Sequence, residues 1–276
     1  MNATRFGRLV ATAVIVAIGI FNVYQAVVGW TLSDAGAYWE AAMRLRAGEQ
    51  LYPPLASVDA SEVFRYAPWF AFAAVPWTFL PQWLAGALWS VVLLAASALA
   101  LWPLVRDRLW LLVAFFGPIL VGISAVGNVH PLVVAALVWG VERRSGPLWV
   151  AGAASLKVFP VLFALVYAGR RQWWRFVAAL FLTAALWAPA LLFDLSDYAV
   201  EAGRAAALYQ FPVVYVVVIG AAIGITLAWA ATRWGWLAAA TTVVISLPRL
   251  FVYDVTYLMV GVRAERGAAA ASRHRD

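Results

Sequence analysis

Three small sets of polar residues in this apolar chain are of types and spacings that can do chemistry. Asp34 lies four residues after Trp30, which ends a hydrophobic run, so its carboxylate falls within one helical turn of the membrane surface that run would reach. A carboxylate within hydrogen-bond reach of a hydroxyl can remove its proton as that oxygen forms a new bond. From position alone, a solvated residue at a helix boundary is the simpler account. Lys157 is the single lysine among 20 basic residues and sits in ASLKVFPV with apolar neighbours on both sides. A charge at membrane depth costs at least about 2.5–3.5 kcal/mol, so it needs a partner or a wet cavity. No acidic residue lies between Glu142 and Asp194. The partner must then come from another helix, with Asp254 as a rival, or from an anionic ligand such as a phosphate; snorkelling to the interface is the alternative. The third set is Asn128 and His130 in GNVHP, with Arg249, Tyr253 and Asp254 in SLPRLFVYD. A turn between helices also explains Gly127 and Pro131, and Arg249 could pair with Asp254.

The elements that must hold these groups are membrane helices. Sixty-five per cent of the 276 residues are hydrophobic, 12% are charged, and the mean hydropathy is +0.85, which excludes a water-soluble domain. The 16 tryptophans, several near the ends of apolar runs, suit interfacial belts. With no cysteine, disulfides, thiol catalysis and cysteine metal sites are all removed. His274, the only other histidine, lies in the tail, so no metal site is expected at His130. The net charge of +7 comes with 19 arginines that fall mostly in short connections between apolar runs, an orientation signal beside anionic lipid rather than a nucleic-acid surface. No P-loop, Rossmann glycine fingerprint or paired metal-aspartate motif is present, which disfavours a nucleotide-sugar enzyme or an ATP-driven pump. No cofactor is expected.

In chain order, Arg5 and Arg8 precede a first span over about 9–30. The polar stretch 31–65 follows outside the cytoplasm, with an amphipathic helix over 35–47 that would lie flat on the bilayer interface. Ala37, Tyr38, Ala41, Ala42 and Leu45 share one of its faces, Glu40 and Arg44 are spaced to pair, Ser33 or Asp34 can cap it and Gly48 can end it. Apolar runs then cover 66–105, broken near Pro81, and 109–126, 132–141, 148–168, 176–193, 212–231 and 234–247, with a second polar loop over 194–210 that includes Asp194, Asp197, Tyr198, Glu201 and Arg204. If 66–104 crosses twice, Arg106, Arg108, Arg143 and Arg144 fall outside, against the positive-inside rule. If it crosses once with a bent or re-entrant element they fall inside, and the stretch around Lys157 must then dip in and return. The fold expected is all-α: a polytopic membrane protein of about eight to ten transmembrane or re-entrant helices, one membrane domain over 1–262, and a disordered cytoplasmic tail over 263–276.

Asp34, the AYW of 37–39, Gly48 with LYPP from Leu51, RYAPWF from Arg65 and VPWTFLP from Val75 together resemble the opening of glycosyltransferase family 87, GT-C-type membrane mannosyltransferases that use polyprenyl-phosphate sugars. The resemblance covers about residues 30–260. It implies that Asp34 is the catalytic base, and that Arg65, Tyr66, Asn128, His130, Lys157, Arg249, Tyr253 and Asp254 contact donor or substrate. Lys157 would hold the phosphate. His130 stands where the family often has asparagine, and members generally continue for several helices beyond the Tyr-Asp element. The activity implied is transfer of mannose from polyprenyl-phosphate mannose to a lipid or glycan acceptor, at a bacterial plasma membrane and on its extracytoplasmic side. A non-catalytic protein that keeps the donor cavity, as a lipid-linked-sugar carrier or a partner subunit, is the alternative.

Overall fold

The computed structural model describes residues 5–10, 12–14, 16–17, 33–53, 63–195 and 208–262, and every regular element among them is helical. The chain is an all-α membrane protein. Three of its helices, Gln82–Arg106, Trp173–Leu192 and Pro212–Trp229, are long and apolar enough to cross a bilayer. Most of the expected first span, the polar residues Asp197, Tyr198, Glu201 and Arg204, and the tail from Arg263 lie outside the described residues. Two compact units divide the chain: Met1–Ala135 with Ala190–Tyr198, and Ala136–Pro189 with Ala199–Asp276.

Unit 1 begins with α1, the described helical positions among 5–17, and α2, Ser33–Ala47. Gly48 ends α2 at φ 70, and the Glu49 N–H closes onto the Arg44 carbonyl at 2.9 Å. Ala37, Tyr38, Ala41 and Ala42 are buried as their spacing predicts, with Leu45 half-buried. That face packs on protein: on α3 (Pro68–Ala74), on the 3₁₀ turn Val75–Phe79 and on α4 (Gln82–Arg106). The expected Glu40–Arg44 ion pair is absent among the described residues; Arg44 Nε is buried without a hydrogen bond. The face is secured instead by Arg46, which donates to the Thr78 hydroxyl at 2.8 Å and carbonyl at 3.1 Å and covers the Phe79 ring.

Proline sets the next breaks. Pro68 opens α3, Pro76 falls in the 3₁₀ turn, and Pro81 in extended geometry precedes α4. Seven α-helical and five 3₁₀ residues reach only about 20 Å, short of a ~30 Å hydrocarbon core. The stretch 66–104 therefore contains one spanning helix and one short bent element. α4 and α5 (Trp110–Ala125) pair through the Ser97 and Ser124 hydroxyls, 2.9 Å apart, and turn at Arg106–Leu109 with Arg108 at φ 58. The Arg8 guanidinium lies 5.7 Å from the centre of the Trp110 ring. The N-terminal arginines and the Arg106–Arg108 turn thus share one end of unit 1, as the single-crossing arrangement requires.

α6 (His130–Gly140) runs from unit 1 into unit 2. The run 148–168 is not one helix: α7 (Gly146–Leu156) stops, Lys157 is extended at φ −145, and the chain returns through the 3₁₀ turn Phe159–Phe163 and α8 (Ala164–Gly169). The cause is Pro160, whose ring would collide with the Leu156 carbonyl if the helix continued. Tyr167 donates to the Val141 carbonyl, and Arg175 donates to the carbonyls of Val141 and Arg143, so the returning leg ends beside the start of the outgoing one. Residues 146–169 are a hairpin with Lys157 at its tip. α9 (Trp173–Trp187) runs alongside α7, with Trp187 Nε1 donating to the Ala154 carbonyl at 3.4 Å. α10 (Pro212–Trp229) and α11 (Gly235–Ser246) meet at the Thr226–Thr242 hydroxyl pair, 2.8 Å apart.

Candidate active site

In unit 1 the first turn of α2 is joined to the turn between α5 and α6. The Asp34 N–H donates to the Val126 carbonyl at 3.1 Å. Asn128 Nδ2 donates to Asp34 Oδ2 at 2.7 Å, while Asn128 Oδ1 accepts from the His130 N–H at 2.9 Å. The second contact fixes which way the amide faces, so its N–H must point at the carboxylate. Gly127 allows this approach: its φ is +78, and a Cβ on it would stand 2.7 Å from the Ala35 Cβ and 2.9 Å from the Ala35 nitrogen. Trp89 Nε1, donating to the Gly127 carbonyl at 2.7 Å, ties the same turn to α4. The Asp34 carboxylate is half-buried and therefore oriented yet reachable.

One helical turn on, Tyr38 is 4% exposed, and its hydroxyl accepts from the Val129 N–H at 3.2 Å and meets the Tyr66 hydroxyl at 3.0 Å. Burial, with Tyr66 and Asp34 nearby, pushes the Tyr38 phenol well above its ordinary value, so it stays a neutral hydroxyl throughout the physiological range. Its ring meets Tyr66, Phe70 and Trp89 edge-on. Tyr52 donates to the Tyr66 carbonyl at 2.8 Å, and Arg65, half-buried, precedes Tyr66. Asp34, Asn128, His130 and Tyr66 thus belong to one neighbourhood. The His130 side chain is 0% exposed, so it shapes the turn from within. Tyr38 and Trp89 escape a reading by sequence because both look like core aromatics; only the Tyr38 spacing of four from Asp34 hints that the two share a helix face.

The second constellation lies in unit 2. Lys157 Nζ is 3.5 Å from the Tyr253 hydroxyl and 4.6 Å from the centre of its ring. Tyr253 stacks on Phe251 with centroids 5.1 Å apart, and the Arg249 guanidinium lies 4.7 Å from the Phe251 centroid. Two cations therefore border one stacked aromatic pair. Asp254 is 3% exposed, and its Oδ2 accepts from the Phe251 N–H at 2.8 Å, capping the 3₁₀ turn Val252–Tyr257. It forms no ion pair with Arg249 among the described residues. Lys157 is thus held at a helix break beside a tyrosine rather than in mid-helix.

A family model described as Glycosyltransferase family 87 matches residues 64–202, half of the chain. The matched stretch holds Arg65, Tyr66, Trp89, Asn128, His130 and Lys157; Asp34 and the 249–254 segment fall on either side of it. No curated protein and no solved structure matches the chain.

Proposed function

The chain belongs to glycosyltransferase family 87, and from that premise we propose that this membrane glycosyltransferase moves mannose from polyprenyl-phosphate mannose to a hydroxyl of a lipid or glycan acceptor, with Asp34 as general base on the extracytoplasmic side. The observation that carries the proposal is the 2.7 Å bond from Asn128 to Asp34, which aims a reachable carboxylate from the end of α5 opposite Arg8 and the Arg106–Arg108 turn. α5 alone separates the two ends by about 24 Å. The acceptor oxygen attacks the anomeric carbon, the bond from that carbon to the phosphate oxygen breaks, and the hydroxyl proton passes to Asp34. Polyprenyl phosphate leaves as an anion, so no acid is needed to protonate it.

A second part of the proposal rests on unit 2 alone. Lys157, at the tip of the 146–169 hairpin and beside Tyr253, binds the phosphate of the lipid-linked donor, with Arg249 as a further cation on the aromatic pair. The test is transfer of radiolabelled sugar by the purified chain, wild type against Asp34→Asn. The variant should bind donor normally and lose about 100-fold or more in turnover. A variant with wild-type turnover refutes the assignment of the base, and a wild type that binds donor without any transfer under all acceptors tried favours the non-catalytic alternative, a lipid-linked-sugar carrier or a partner subunit.

A further inference from the structure

Three turns of unit 2 come together at one end: 141–145 between α6 and α7, 170–172 between α8 and α9, and 230–234 between α10 and α11. Arg170 Nε donates to the Ala230 carbonyl at 2.7 Å and its Nη1 lies 3.8 Å from Glu142 Oε1. Trp236 Nε1 donates to the same Glu142 oxygen at 2.8 Å, and Arg175 reaches the carbonyls of Val141 and Arg143. Two arginines are thereby used inside the junction and make it rigid. Arg143, Arg144, Arg171 and Arg233 are left exposed at its surface. Glu142 is the one carboxylate in the three turns, and it is already engaged.

Two more features mark this rim. Arg171 is displayed at φ 57, a conformation that costs an L-residue roughly 1 kcal/mol, where glycine or asparagine would be the residue that lowers the cost. Directly after it Trp173 and Trp174 are 59% and 80% exposed, and Arg233 covers the Trp234 ring at 4.7 Å. Exposed tryptophans beside four guanidiniums that have no carboxylate partner among the described residues suit a layer that is apolar on one side and phosphate-rich on the other. We propose that this rim is a binding surface for anionic phospholipid headgroups, the exposed arginines meeting phosphodiester oxygens while Trp173 and Trp174 lie at the acyl boundary. It goes beyond glycosyl transfer and does not depend on it.

The test uses the full chain in nanodiscs of phosphatidylcholine with a minor fraction of spin-labelled phosphatidylglycerol or spin-labelled phosphatidylcholine, and reads the protein-bound lipid fraction. The wild type should enrich the anionic label about fivefold or more over the neutral one at low salt. Arg143→Gln/Arg144→Gln/Arg171→Asn/Arg233→Gln should lose most of that preference, and the same four positions changed to lysine should keep much of it. Thermal unfolding in neutral detergent checks that both variants are folded; if the glutamine set is not, the four single variants replace it, each expected to lose part of the preference. A wild type without preference overturns the proposal, as do folded variants without the four arginines that retain it in full. Preference for a soluble polyanion over the anionic lipid in a competition arm would overturn it too.

Discussion

The Asn128 amide helps to orient the Asp34 carboxylate, and this is where the site is most sensitive. A hydrogen bond to a charged group contributes about 1.5–3 kcal/mol, so Asn128→Ala should lower transfer by roughly 10- to 100-fold with donor affinity little changed. Asn128→Asp should be worse, since two carboxylates would then face each other at hydrogen-bond distance. Steady-state kinetics with an acceptor titration checks this, and an alanine variant with unaltered kcat would mean that Asn128 merely builds the turn. At Lys157 the expected pattern separates charge from shape. Lys157→Met should weaken donor binding strongly and Lys157→Arg should keep part of it, because the charge survives while the fit to the phosphate changes. Unchanged donor affinity with a large fall in Tm for Lys157→Met would make the lysine a structural partner of Tyr253.

At the scale of elements, two close approaches decide where the polar groups stand. The first is Gly127 against Ala35. Gly127→Ala adds a left-handed strain and a collision with the first turn of α2, so it should destabilise by about 1–3 kcal/mol and reduce transfer with it. Ala35→Gly in the same chain should restore part of the loss, because it removes the Cβ contact and leaves the strain and the backbone contact. Equal stability of Gly127→Ala and wild type in thermal unfolding would show that the junction opens freely. The second is the hairpin 146–169, whose α7 leg of 11 residues puts Lys157 about 16 Å from the turns that carry Arg143 and Arg170. That distance exceeds the reach of a lysine side chain to the basic end, and Lys157 Nζ meets Tyr253 at the tip instead.

For the molecule as a whole, each unit taken by itself has a cluster of arginine-bearing turns and, away from those turns, a candidate site. Arg44, Arg46 and Arg65 lie on the site side of unit 1 and Arg249 at the site of unit 2. In unit 1 Arg8 and the Arg106–Arg108 turn lie at one end and Asp34 at the other; in unit 2 the arginine turns lie at one end and Lys157 about 16 Å away. The last described turn of unit 2 brings Gly261 against Leu237, beside its basic end, so the tail starts there. Applied to unit 1, the positive-inside rule supports the proposal that the Arg8 and Arg106–Arg108 end faces the cytoplasm and Asp34 the other side; applied separately to unit 2, it supports a cytoplasmic start for the tail. Because the chain has no cysteine, single cysteines at Ser57 and Ser272 can be labelled with an impermeant maleimide in intact cells without background. Ser57 should label and Ser272 should not; the reverse result would remove Asp34 from the extracytoplasmic side.

Composition and charge by themselves determined the solvent: a chain this apolar, with arginines mostly at or near its connections, has to be a helical membrane protein, because only helices satisfy every backbone group within their own segment in lipid. Local residues also settled several boundaries, since Pro81 and Gly48 act through their own backbones and need no neighbours. The return at Lys157 was legible as one of two arrangements, because keeping Arg143 and Arg170 on one side requires the stretch to dip in and come back, and Pro160 marked the break. What only the tertiary structure decided is which polar groups meet. The Asn128 bond to Asp34 joins residues 94 positions apart, and the Lys157–Tyr253 contact spans 96. Tyr38 read as a core aromatic until packing set its hydroxyl against that of Tyr66, and a pair of Arg249 with Asp254 stayed open until the Phe251 amide was found on the carboxylate. Hydrophobic period and turn chemistry are properties of short windows, whereas a hydrogen bond between distant residues depends on how whole helices are placed, and no window of sequence contains that distance.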